Sequence, residues 1–567
     1  MDNRHKALSR ILSPKTLFFA TLAVLAVPNV ALCFTERMGF WASAANIVLP
    51  MAVVWLLLTL TQKPGKAALL LFPLMFFAAF QTVLLYLFGH SIIAVDMFLN
   101  LVTTNPGEAM ELLDNLVPAV SLVIVVYVPV IALAIISLHR GDRLGHNFLS
   151  AQRKMAAAAV GAGAVCLGAG YAADRDYAAG LDLYPVNVLY NLALAVERTE
   201  ATADYARTSA HFSFHAKDGG KGDAPRVFVL VIGETARADN FALYGYSRNT
   251  TPMLQREKGL TAFSKALTQS NTTHKSVPML MSAVSAENYD SIYREKGIIT
   301  AFKEAGYHTT FISNQRPNHS FIDLFGEEAD RWTFIKDHAA NPETVTDEQM
   351  LALVDKVLAK ERRRELIVLH TYGSHFNYRE RYSRSEAFFK PDEASEAEPG
   401  NRAQLLNAYD NTIRCTDKLL AGVIARIGSK GRVAAMVYAS DHGENIFDDD
   451  RKLFLHASPV PSYYELHVPL IVWLSPEYIS AYPQIAAALN ANRHKDVATS
   501  VSVFHTLLNI AHIATPLRND RLSVADASYT PRPAVYLNDH NRAVPVSKIL
   551  RDAQDFSMMR YKGIRTD

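Results

Sequence analysis

The chain has 567 residues, half of them hydrophobic, with 57 basic and 55 acidic side chains and a formal net charge of +2. That length exceeds one ordinary core, so at least two folding units are expected. The near balance of charge, with no concentrated basic face, excludes nucleic acid as a partner. Only one of the three cysteines, Cys415, lies after residue 173, which excludes an internal disulfide there.

Before Asp174 the sequence is mostly long aliphatic runs. Windows near 16–34, 42–61, 67–88, 118–138 and 155–173 are long enough to cross about 30 Å of hydrocarbon at roughly 1.5 Å per residue. Residues 1–173 therefore read as a five-span α-helical transmembrane domain. The start is basic (Arg4, Lys6, Arg10, Lys15), but no small-residue cleavage site precedes the second window, so a retained anchor is expected. Basic residues also gather at Lys63, Lys66, Arg140, Arg143, Arg153 and Lys154, which predicts that those loops are cytoplasmic. An odd number of spans then puts the remainder on the far side, in a bacterium the periplasm. Loop 89–117 shares that side and has apolar residues at helical spacing around Asn105-Pro106. It reads as an interfacial segment or a plain connector, with Asn100 and Glu108 facing the same membrane surface as the later domain.

Residues 174–225 read as a charged, Ala-rich link, and 226–567 as a soluble α/β domain. Short β-branched runs at 227–232, 309–312, 366–369, 433–438 and 470–473 are candidate buried parallel strands. Helical patterns near 296–305, 346–361, 403–427 and 499–512 separate them, which predicts a doubly wound, mostly parallel sheet. Active groups in such sheets gather beyond the carboxyl ends of the strands. Glu234, His370, His375, Asp441 and His442 all follow predicted strands.

Glu234, Asp441 and His442 offer two carboxylates and an imidazole, a donor set suited to zinc with room for one more ligand. Singly, each carboxylate reads as a helix cap or a solvated charge. Thr273 lies in a polar run before a helical stretch; its hydroxyl is either a cap or, beside a divalent cation, a nucleophile. His375 and His456, with His370 behind them, are either hydrogen-bonded core groups or groups that bind a phosphate oxygen, hold a second ion or protonate a leaving alkoxide. His467 reads as structural.

Five spans, Gly233-Glu234-Thr235-Ala236-Arg237-Ala238-Asp239, Thr273 before Ser276-Val277-Pro278, His370-Thr371-Tyr372-Gly373-Ser374-His375 and Ser440-Asp441-His442-Gly443-Glu444 together resemble the membrane-bound phosphoethanolamine transferases of Gram-negative bacteria. That family lies in the alkaline phosphatase and sulfatase superfamily and includes the lipid A modifiers behind polymyxin resistance. The resemblance implies an alkaline phosphatase/sulfatase-type fold and Zn2+ held by Glu234, Asp441, His442 and the nucleophile Thr273. It also implies substrate contacts at His370, His375, His456 and Asn314, and donor-lipid contacts at Asn100 and Glu108. The implied enzyme is an inner-membrane monomer with its catalytic domain in the periplasm. It moves phosphoethanolamine from phosphatidylethanolamine through Thr273 to lipopolysaccharide, on lipid A or a core sugar. Gln269 and Met279 stand where many lipid A-directed members have a cysteine pair, and the residues around Asn314 resemble the core-sugar branch, so the acceptor stays open. A phosphoglycerol transferase using phosphatidylglycerol, a sulfatase, and a non-catalytic membrane sensor are the alternatives. The sulfatase signature Ser-x-Pro-x-Arg would fall on Ser276 to Leu280, which ends in leucine.

Overall fold

The computed structural model describes residues 13–567 apart from 90, 104–116, 176, 223, 340, 395 and 430. The described chain divides into two compact units, the first reaching Arg198 and the second running from Thr199 to the end.

In the first unit the apolar windows become α1 (Pro14–Thr35), α2 (Phe40–Leu58), α3 (Pro64–Leu70) with α4 (Phe72–Phe88), α5 (Val95–Thr103), α6 (Val117–Arg140) and α7 (His146–Ala173). Four of these are long and apolar enough to cross a membrane, and α3 with α4 makes a fifth span if the pair, bent by 57°, is counted as one. The bend has a local cause. Pro73 stands in the first turn of α4 and lacks the N–H that would continue the ladder. Helix α2 packs along α7, where small buried residues (Ala42, Ala45, Ala156, Gly163) let backbones approach.

The stretch read as a link contains α8 (Val186–Ala203). Val188 and Ala195 of α8 bury against Ile93, Val95 and Phe98, so its first part packs as a piece of the first unit. Its charged, Ala-rich composition hides a narrow apolar stripe. Asn100 sits on α5, and Glu108 lies outside the described residues.

The second unit is built on a seven-stranded sheet. Its strands in chain order are β1 (Arg226–Gly233), β2 (Leu260–Phe263), β3 (His308–Ser313), β4 (Arg331–Phe334), β5 (Arg364–His370), β6 (Val433–Ser440) and β7 (Leu470–Leu474). The spatial order is β2-β7-β6-β1-β5-β3-β4. Alternate residues of β1 serve opposite cores: Phe228, Leu230 and Ile232 one, Val227, Val229 and Val231 the other. This is why the run reads as continuously apolar. Helices α9 (Thr273–Leu280), α10 (Arg402–Ile427) and α11 (Thr499–Ile510) cover the faces.

One predicted direction needs correction. The run at 470–473 is a strand, but β7 is antiparallel to both β6 and β2, so the sheet is mixed. A parallel neighbour would need a covering crossover. The connection after β6 instead contains only one four-residue helix, Tyr463–Leu466. Because β6 ends and β7 begins at the same rim, the connecting segment 441–469 stays on that rim.

Candidate functional site

The register of the two central strands sets Gly233 opposite Ser440, so the next residues, Glu234 and Asp441, leave the sheet side by side. Both are fully buried, as is His442. The turn after β1 is strained: Thr235, a β-branched residue, has φ +59°. The strain aims two donors. The Thr235 N–H donates to Asp441 Oδ1 at 3.0 Å and its hydroxyl to Glu234 Oε1 at 2.7 Å.

Each acidic group is oriented by donors so that one oxygen faces His442, although hydroxyls also bond those oxygens: Thr235 and Thr273 at Glu234 Oε1, Ser276 at Asp441 Oδ2. Asp441 Oδ1 accepts the N–H groups of Thr235 and His442, leaving Oδ2 3.2 Å from His442 Nε2. Glu234 Oε2 accepts from Gln315 Nε2 at 3.0 Å, leaving Oε1 3.5 Å from His442 Nε2. His442 Nδ1 donates to the Gly443 carbonyl at 2.9 Å, which fixes the tautomer that turns an unprotonated Nε2 toward the carboxylates. Thr273, the first residue of α9, places Oγ1 3.1 Å from His442 Nε2 and 3.3 Å from Glu234 Oε1. Residues nearly 210 positions apart thus meet within one hydrogen-bonded group.

The electrostatics of this group suit a cation. Burial first, and then Asp441, push Glu234 up to about 6, and burial also raises Asp441. Burial alone would lower His442, but the two carboxylates overcome it and raise its pKa. Among the described residues, Glu234, Asp441 and His442 are the only three-membered His/Cys/Asp/Glu group with ligand atoms within 4.8 Å of one another. These donors, oxygen and nitrogen in a buried site, fit a divalent metal such as zinc.

Gly443 separates His442 from Glu444 where a Cβ would lie 2.1 Å from the Tyr464 carbonyl oxygen. Gly443→Ala should therefore displace His442 or the 441–469 segment, costing about 3 kcal/mol. A lowered thermal midpoint of the purified variant is the check.

His456 and His375 border this group. Their rings lie 6.3 Å apart, and the His456 ring is 4.1 Å from that of His442. His375 stacks on Tyr372 at 5.2 Å. His456 Nδ1 is 3.1 Å from Glu444 Oε1, whose partner oxygen accepts from Tyr378 at 2.6 Å.

Two sequence candidates stand elsewhere. The His370 ring is buried beside Phe311 and hydrogen-bonded to Ser313, and burial pushes its pKa down to about 3. Asn314 donates to Asp347, which in turn accepts the N–H groups of Tyr372 and Gly373. It shapes the loop before His375, and its amide bonds Asp347 rather than Glu234. The residue that bonds Glu234 is its neighbour Gln315, which also bonds the Thr371 carbonyl. Sequence reasoning passed over Gln315; the signal was its place just past the end of β3, on the same rim. His467 is structural: its ring joins Asp239, Tyr463 and the Ser264 carbonyl.

Among curated proteins, the chain is 29% identical over 309 residues to the Kdo(2)-lipid A phosphoethanolamine 7''-transferase of Escherichia coli (strain K12), covering 51% of this chain and 52% of that protein. It is 27% identical over 274 residues to phosphoethanolamine transferase EptC of the same organism, covering 46% and 47%. The chain spans about half the length of the curated relatives it matches. Among solved structures, the integral membrane protein lipooligosaccharide phosphoethanolamine transferase A from Neisseria meningitidis aligns with TM-score 0.68 and 22% identity, over 91% of this chain and 97% of that one. The periplasmic domain of EptC from Escherichia coli in complex with Zn aligns with TM-score 0.53 and 22% identity, over 58% and 94%. These likenesses establish a shared fold: apolar helices followed by an α/β domain. The family described as Sulfatase matches residues 226–513. With that match spanning just over half of its length and every residue of the Glu234, Thr273, Asp441 and His442 group, the chain belongs to the sulfatase family.

Proposed function

We propose that the chain is a membrane-anchored phosphoethanolamine transferase that takes its head group from phosphatidylethanolamine, carries it on Thr273 and passes it to lipopolysaccharide. The observation that carries this reading is the position of Thr273 Oγ1, 3.1 and 3.3 Å from two members of the three-ligand group. The names of the curated relatives support the head group and a Kdo(2)-lipid A acceptor. The 1–173 spans and their basic flanks support an inner-membrane anchor with residues 226–567 in the periplasm.

Glu234, Asp441, His442 and Thr273 would hold a zinc ion, which supplies a positive charge that favours the alkoxide and offsets charge on the phosphoryl oxygens. Thr273 Oγ1 hydrogen-bonds toward Glu234 and His442, the directions in which its proton can leave. Its attack on phosphorus forms the Thr273 ester and expels diacylglycerol, and His456 or His375 gives the departing oxygen its proton. An acceptor phosphate or hydroxyl then attacks the ester and restores the threonine. Anchoring suits such a donor, since each buried CH₂ holds it in the bilayer by about 0.8 kcal/mol.

The sulfatase-type serine is disfavoured by position. Ser276 is fully buried one turn into α9, where its hydroxyl bonds the Thr272 carbonyl and Asp441.

The test is turnover by the full chain in lipid nanodiscs. Diacylglycerol release from phosphatidylethanolamine but not from phosphatidylglycerol supports the reading. Release from phosphatidylglycerol alone would replace it with phosphoglycerol transfer, and release from neither would overturn it. Gln315→Ala should weaken metal binding by about 10- to 100-fold, because Glu234 Oε2 loses its donor and the carboxylate is freer to turn. Competition against a chelating dye measures this without reference to activity.

A further inference from the structure

The opposite rim of the sheet carries a second concentration of charge. Arg226 opens β1, His308 opens β3 and Arg364 opens β5, and the parallel register sets Arg226 beside Arg364 and His308 beside Glu365. A cavity of about 410 Å³ lies at these strand starts, lined by Arg226, Gly306, His308 and the consecutive arginines Arg362, Arg363 and Arg364.

Among the described residues, Asp218 and Glu365 are each shared between two of these cations. Asp218 takes Arg226 through both oxygens, at 2.6 and 2.5 Å, and Arg364 at 3.0 Å. Glu365 is divided between Arg362 at 3.3 Å and His308 at 3.2 Å. Its Oε2 is buried without a hydrogen-bond partner, and burial pushes its carboxyl up to about 7. The cationic field acts on its own members. Burial and then Arg362 hold His308 below its ordinary value, and Lys360 and Arg331 act in the same direction, against Asp330.

We propose that this rim binds a phosphate monoester on a small polar carrier, such as a sugar phosphate. Guanidinium forks match phosphate oxygens two at a time. The volume falls in the roughly 300–1,000 Å³ range of small-molecule sites, more than a bare phosphate fills. The lining has no large apolar side chain to receive an acyl tail. Nothing in the transfer chemistry uses these residues, so the site stands apart from the Thr273 reading.

The experiment is calorimetric titration of the full chain in detergent, at an ionic strength of about 0.15 M, with glucose 1-phosphate, inorganic phosphate and phosphatidic acid in mixed micelles. Saturable binding of one glucose 1-phosphate, tighter than inorganic phosphate and weakened about tenfold by Arg362→Ala or Arg363→Ala, is the expected result. Arg363 is exposed, and the thermal midpoint of each variant, measured beside the titration, separates lost binding from lost fold. Absence of saturable binding, or affinity unchanged in Arg363→Ala, overturns the site. Preference for phosphatidic acid overturns the polar carrier.

Discussion

Thr273→Ala is expected to lower head-group transfer by about 10⁴-fold or more while leaving a folded protein that still binds metal. The hydroxyl touches only His442 Nε2 and Glu234 Oε1 among the site residues, at 3.1 and 3.3 Å, and the side chain is only half-buried. Its loss should change stability by about 1 kcal/mol. Thr273→Ser retains the hydroxyl and should retain measurable activity. Ser276→Ala, three residues on, removes a hydrogen bond to Asp441 Oδ2 without removing the nucleophile, and a loss within about tenfold is expected. Steady-state rates of diacylglycerol release, with thermal midpoints as the folding control, distinguish the three variants. Full activity of Thr273→Ala would place the attacking oxygen elsewhere.

The second large effect follows from the buried charge. In the metal-free protein, burial and Asp441 raise the Glu234 pKa from 4.5 to about 6. The folded state then binds the proton more tightly than the unfolded one. Stability falls as pH rises between about 4.5 and 6, and the deficit, about 2 kcal/mol, is fully present above that window. A bound divalent ion stabilises the fold by about 2.7 kcal/mol at a hundredfold excess over Kd, a figure that already includes relief of this deficit. Chelation should therefore lower the thermal midpoint at neutral pH and abolish transfer, and zinc should restore both. Glu234→Gln should be at least as stable as the chelated parent and gain nothing from zinc. Elemental analysis and thermal scans with and without chelator check this. A Glu234→Gln variant that keeps one zinc and the full thermal gain would contradict the ligand assignment.

Much of the scaffold was legible because central strands buried on both faces are continuous β-branched runs. The five predicted strands coincide with β1, β3, β5, β6 and β7. The edge strands β2 and β4 were missed, since Leu260–Phe263 and Arg331–Phe334 are partly exposed and carry no such run. The antiparallel direction of β7 is a property of the connection before it, which strand composition does not encode. In the first unit, hydropathy located the long apolar helices, but the bend between α3 and α4 depends on where Pro73 falls in a turn.

At the site, strand-end logic brings Glu234, Asp441 and His442 together because β1 and β6 are neighbours in register. Thr273 joins them from a helix start. His370 turns its ring into the packing beside Phe311, and Asn314 bonds Asp347, one residue before the side chain that reaches Glu234. Side-chain direction at the end of a strand alternates residue by residue, and a motif read as a block does not resolve that alternation. Gln315 and Thr235 act through hydrogen bonds to Glu234 and Asp441, and Glu444 through one to His456, so only the assembled geometry identifies them.

The most direct measurement is intact-protein and peptide mass spectrometry after incubation of the full chain with phosphatidylethanolamine and no acceptor. A single added phosphoethanolamine on Thr273, absent from Thr273→Ala and discharged when lipopolysaccharide is supplied, is the predicted result. Diacylglycerol released in burst amounts with no modified threonine, or the group found on another residue, would contradict it.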